Sequence, residues 1–159
     1  MYTFKSKEYF EELELIISNK LEKVGNKKIL AIINVGNNKK SKEYIEIKQK
    51  VAAGFGIKTE LFTIKTSAKK TELEELIKSL NTDKKYGGIV IQYPLTDKYD
   101  IKAVAQLIDP KKDVDFFNPT TMGSFYINDN KDLMPPVVKA VDYILNTMRL
   151  DTKGKRIVV

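Results

Sequence analysis

Three short apolar runs, ILAIINV at 29–35, TELFTI at 59–64 and GGIVIQ at 87–92, are separated by segments whose apolar residues recur every three to four positions. The first run ends in Gly36 and reads as a strand buried on both faces. Strands alternating with full-length helical crossovers predict an α/β fold: a three-layer domain with a mostly parallel sheet covered by helices on both faces. Ligands on such sheets bind beyond the carboxyl ends of the strands. Here those ends are Val35-Gly36, Ile64 and Gln92-Tyr93-Pro94.

Residues 7–24 place Phe10, Leu13, Ile17, Leu21 and Val24 on one stripe, with Ser6 as a cap. Ser41 is positioned to cap a helix over 42–53, stopped by Gly54 or Gly56. Thr71 and Glu74 form a capping box ahead of Leu73, Ile77 and Leu80. Asp100 caps a short helix through Ile108, and 109–134 reads as a loop. Pro136 opens a last helix carrying Val138, Val141 and Ile144. DTKGKRIVV (151–159) reads as a turn and the opening of another buried strand, the entrance to a further domain.

Composition narrows the chemistry. With 159 residues the chain suits one domain, or one plus the stub of another. Cysteine and histidine are both absent, which excludes a disulfide framework, a thiol nucleophile, a Ser-His-Asp arrangement and most zinc sites. Proton transfer near neutral pH therefore falls to Lys, Asp, Glu or Tyr. The net charge of +7 invites a nucleic-acid partner. Against that, only Arg149 and Arg156 are arginines, and the lysines mingle with acids along helical segments. No apolar run reaches the roughly 18 residues of a membrane span, and acids come too early for a signal peptide, so a cytoplasmic protein is expected.

Tyr44 and Lys48 lie four apart on a predicted helix and share a face. A ring there can stack on a flat ligand and an amine one turn on can move protons, although exposed surface residues show the same spacing. Gln92 ends an apolar strand with an amide, which suits either a ligand contact or an ordinary strand end. Asp113 and Asp115 alternate, so in an extended chain both face one way. One could accept paired hydrogen bonds from an aminopyrimidine edge; turn chemistry is the alternative. Two carboxylates without a third ligand make a weak metal site. No GxGxxG or GxxxxGK[ST] is present, hence no dinucleotide or triphosphate cradle in this chain.

Taken in order, SKEYIEIKQKVAAGFGI, GGIVIQYPL, DPKKDVDFFNPTTMGSF and the Pro135-Pro136 helix start resemble the bifunctional methylenetetrahydrofolate dehydrogenase/methenyltetrahydrofolate cyclohydrolase family. Its pattern runs S-x-x-Y-V-x-x-K-x-K, G-I-x-V-Q-L-P-L, P-x-K-D-V-D-G, a Pro-Cys-Thr-Pro helix start and a Gly-Lys-x-x-x-V-V strand. The resemblance implies that Lys48 is the catalytic lysine, Gln92 its partner, Asp115 the anchor of the pterin's amino edge and Tyr44 the stacking ring. Asp113, Tyr93, Pro94 and Pro136 join Tyr44 as substrate-binding residues. It further implies one-carbon derivatives of tetrahydrofolate as substrates and a homodimer. Residues 1–150 would be the folate-binding catalytic domain with its linking helix. Residues 151–159 would be the first strand of a truncated Rossmann domain that binds NAD(P) in the full-length family, so no cofactor binds within this chain. Three departures stand out: Phe116 replaces the Gly of D-V-D-G, Tyr93 the Leu of Q-L-P-L, and Met134-Pro135-Pro136 the Pro-Cys-Thr-Pro segment. A degenerate member that binds folate without turnover is the second reading these departures suggest.

Overall fold

The computed structural model describes residues 6–24, 28–127, 133–156 and 158. Strands β1 (Ile29–Val35), β2 (Lys58–Ile64) and β3 (Tyr86–Gln92) form a wholly parallel sheet in the order β2-β1-β3. Ile32 of β1 stands between Leu61 of β2 and Val90 of β3. Helices α2 (Lys39–Gly54) and α3 (Lys70–Thr82) make the crossovers. Because side chains alternate along a strand, β1 feeds two cores. Ala31, Ile33 and Val35 meet Leu73, Ile77 and Leu80 of α3, together with Val104 of α4 (Ile101–Leu107). Ile32 and Val90 meet Ile45 of α2 on the other face. The three-layer arrangement follows from that alternation.

The free edge of β3 is covered rather than open. The Ile89 N–H donates to the Lys112 carbonyl at 2.8 Å, and Asp113 bridges Ile89 in parallel register. This blunts an edge that could otherwise pair with another chain, and it brings the Asp113–Asp115 segment beside the end of β3.

Several boundaries differ from expectation for local reasons. Asn38, not Ser41, caps α2, its side chain accepting the Ser41 N–H at 3.2 Å. In α3, Glu72 rather than Glu74 returns to the chain, accepting the Lys69 N–H at 2.9 Å. The stretch expected as loop contains a helix, α5 (Pro119–Tyr126), capped by Asn118 and opened by Pro119. Its start signal is strong, but Thr-Thr and Gly123 mask its helical pattern. Asp100 caps α4 as expected.

Helices α1 (Ser6–Val24) and α6 (Pro136–Thr147) lie outside both core clusters. The stripe of α1 faces α6: Phe10, Leu13 and Ile17 line a groove of about 670 Å³ with Pro136, Ala140 and Ile144. Residues 151–156 run as a turn, without strand pairing; Ile157 and Val159 of the expected strand lie outside the described residues.

Candidate active site at the carboxyl ends of the strands

The crevice is built where β1 and β3 end. Gly36 follows β1 with φ of 84°, a conformation favouring glycine, and an added Cβ would stand 2.9 Å from Thr66 Cγ2. Its carbonyl accepts from the buried Asn34 amide at 3.2 Å. The turn is thus set by packing against Thr66, and it starts α2 at a fixed angle.

Ser41, in the first turn of α2, is 3% exposed, and its hydroxyl donates to the Tyr93 carbonyl at 3.3 Å. The Gln92 amide donates to the same oxygen at 2.9 Å. One carbonyl therefore ties α2 to the end of β3. Ser41 is therefore a link between elements and not the cap its position suggests; the competing signal in the sequence is Asn38 three residues earlier, an equally good capping residue. The Oε1 of Gln92 is buried and has no hydrogen-bond partner. Buried polar atoms are nearly always paired, so an open acceptor at a strand end points to a ligand.

The Tyr93–Pro94 peptide is cis. The Tyr93 ring stacks on Phe117, centroids 4.6 Å apart and planes at 23°. Burial pushes the Tyr93 phenol above its ordinary value of 10.0, so it stays neutral.

The two aspartates part company. Asp113 is buried, and its carboxylate accepts the Phe117 N–H at 3.0 Å and the Asn118 N–H at 2.8 Å. It is a loop clamp, with both oxygens committed to backbone, rather than the substrate-binding residue expected. Asp115 instead turns to α2, where its carboxylate lies 3.6 Å from Lys48 Nζ. The chain bends at Val114 and Asp115, which breaks the extended run that would have aimed both acids alike, and Phe116 just beyond them takes φ of 61°.

Lys48 of α2 thus meets Asp115, and two residues on from Asp115 the Phe117 ring stacks on Tyr93, which follows Gln92 at the end of β3; Tyr44 is exposed one turn before Lys48 on α2. The partner of Lys48 is Asp115; no hydrogen bond joins it to Gln92 among the described residues. Pro136 is not part of this group: it opens α6 and lines the groove toward α1. Among the described residues no group of three or more His, Cys, Asp or Glu could hold a metal ion. No described helix is long and apolar enough to cross a membrane.

An amine, a carboxylate and an open amide oxygen lie on elements at the carboxyl side of a parallel sheet, where such folds bind small molecules, and they offer groups able to move protons. Comparison with known proteins gives that class its family. The model of the tetrahydrofolate dehydrogenase/cyclohydrolase catalytic domain matches residues 4–115. The chain belongs to that family. The bifunctional protein FolD of Acetivibrio thermocellus is 36% identical over 149 residues, which cover 94% of this chain and 52% of that protein. The crystal structure of the bifunctional FolD dehydrogenase/cyclohydrolase from Campylobacter jejuni superposes with a TM-score of 0.80 at 30% identity, over 89% of this chain and 50% of that one. The Trypanosoma brucei FolD, solved with NADP and an inhibitor, shares the fold with a TM-score of 0.88 at 24% identity, over 98% of this chain and 54% of its own. The chain therefore spans about half the length of these relatives.

Proposed function

We propose that this chain is the folate-binding catalytic unit of a cytoplasmic enzyme of one-carbon metabolism, acting as a methenyltetrahydrofolate cyclohydrolase. The observation that carries the reading is the meeting of Lys48 and Asp115 at 3.6 Å; the open Oε1 of Gln92 at the end of β3 supports it. In the resting site the two charges satisfy each other. An aminopyrimidine edge entering the crevice offers Asp115 two N–H donors and takes it from Lys48. Lys48 then faces the cationic methenyl bridge without a counter-ion, which favours the neutral amine.

The chemistry follows from that exchange. A water oxygen bonds to the methenyl carbon while the Lys48 amine takes the water's proton. The bond from that carbon to the ring nitrogen then breaks, its electron pair stays on nitrogen, and Lys48 returns the proton there. The remaining hydroxyl loses its proton to solvent as the formyl carbonyl forms. Gln92 Oε1 accepts from the Lys48 ammonium and holds it in line between the two steps. Acid–base catalysis of this kind is worth about 10²–10⁴-fold.

In the same reading residues 1–150 are the folate-binding unit, and 151–159 lead into an NAD(P)-binding unit that serves the dehydrogenase reaction. The described residues do not fit that cofactor themselves. The glycine at the β1–α2 junction stands alone and packs on Thr66, with no glycine cluster to cradle a pyrophosphate. No hydride step is derived from them. The family's homodimer is part of the proposal on the strength of membership alone.

Decay of methenyl absorbance on adding the chain tests the reading. K48M is expected to abolish catalysed decay while leaving the circular dichroism unchanged; normal turnover by K48M overturns it. A second reading, folate binding without turnover, is favoured by Phe116 at a left-handed corner. Calorimetric binding with decay no faster than buffer selects it.

A further inference from the structure

We propose that Phe116 is a specificity-determining wall of the cleft, contacting the pterin end of the ligand beside Asp115. The proposal rests on the folate reading above.

Phe116 has φ of 61°, where glycine sits freely and a β-carbon crowds the backbone. The corner is imposed from outside. Asp113 holds the N–H groups of Phe117 and Asn118, and the Asn118 side chain donates to the Ile108 carbonyl at 2.7 Å. The turn therefore does not need a ring at 116. The core does not need one either: Phe117 packs against the main core cluster, whereas the half-buried Phe116 belongs to neither cluster. A bulky apolar side chain thus occupies a strained corner with no structural return, a pattern that concentrates at ligand clamps.

Its neighbours locate it. The residue before it reaches Lys48 and the residue after it stacks on Tyr93, so Phe116 stands at the rim of the same crevice. Tyr44, one turn before Lys48, carries a second ring on α2. The two rings come from separate elements, one adjacent in sequence to Asp115 and the other one helical turn from Lys48, the two partners of the ion pair. Aromatic contact from Phe116 falls on the pterin head, so it discriminates among heterocycles and is indifferent to the glutamyl tail.

The chain has no tryptophan, so F116W places its one indole at the wall, where it can be excited apart from the eight tyrosines. Titration of the full chain with tetrahydrofolate, and with a tailless tetrahydropterin, is expected to quench and shift that emission. F116G suits the corner and is expected to keep the fold and weaken both ligands equally, by roughly three- to tenfold in calorimetry. F116Y is expected to bind as the parent does. Equal binding by F116G and the parent, or weakening of the tailed ligand alone, overturns the wall and leaves the folate reading standing. A parent chain that binds neither ligand overturns both. Should F116G fail to fold, the F116W titration decides: emission unmoved at saturating ligand overturns the proposal.

Discussion

Lys48 Nζ stands 3.6 Å from a carboxylate oxygen of Asp115, joining α2 to the loop ahead of α5. Both side chains are partly exposed, 37% and 28%, so the pair contributes only about 0–1 kcal/mol to stability. D115N should therefore melt close to the parent while binding tetrahydrofolate roughly 10- to 100-fold more weakly, the loss of hydrogen bonds to a charged group. K48M should show the converse, with binding within a few-fold and no turnover. Calorimetry beside thermal melts reads the split; equal loss of binding in both variants would mean the two residues are not separate anchor and shuttle.

Asp113 is the structural counterpart of that pair. Removing its carboxylate in D113A leaves the Phe117 and Asn118 N–H groups without their acceptors, at a cost of about 1–3 kcal/mol for each donor left buried. Urea unfolding should register the loss, and folate affinity should fall with it because Asp115 loses its aim. D113N, which keeps one oxygen, should lie between. A D113A chain as stable as the parent would refute the clamp.

At the β1–α2 turn, G36A should lose stability through two separable causes. The left-handed backbone costs a β-carbon about 1–2 kcal/mol, and the new Cβ would meet Thr66 Cγ2 at 2.9 Å. T66S removes that methyl, so the cost of G36A should shrink in the T66S background without vanishing. A cost that disappears entirely in the double variant would assign everything to the clash.

At the opposite end of the sheet, Glu60, Lys85 and Tyr86 form a triangle, with Lys85 Nζ 2.8 Å and Tyr86 OH 2.9 Å from one Glu60 oxygen. The hydrogen bond from Lys85, then that from Tyr86, holds the Glu60 carboxyl below its ordinary value of 4.5. Its stabilising contribution is present above the unfolded carboxyl's value and is lost as pH falls through the lowered folded value. The hydrogen bond to Glu60 raises Lys85 above 10.5, so its contribution is present below the unfolded value and lost as pH rises through the raised one. Burial first, then Glu60, raises the Tyr86 phenol above 10.0, with the same loss toward high pH. E60Q should flatten both limbs of a stability–pH profile measured by thermal melts; unchanged limbs would show the triangle to be energetically silent.

Much of the frame was legible in advance because it rests on local pattern. The apolar run at β1 marks a doubly buried strand, and the stripe Leu73, Ile77 and Leu80 marks the core face of α3. The order of motifs around Tyr44, Lys48, Gln92 and Asp115 pointed to the family, and residues 4–115 match its catalytic domain. Helix α5 was hidden because Pro, Thr and Gly resemble loop composition, although Asn118-Pro119 is a helix start.

What sequence alone determined is the set of elements and their faces, since 3.6- and 2-residue periods are read from neighbours along the chain. What tertiary structure decided is which polar groups meet. Alternation predicts that Asp113 and Asp115 point together; the bends at Val114 and Asp115 separate them, one accepting from the backbone and the other meeting Lys48. Likewise Pro136, adjacent to the site by motif order, faces α1 once the helices pack. Such meetings depend on backbone dihedrals and on hydrogen bonds between segments remote in sequence, and neither is recorded in the periodicity of the residues themselves.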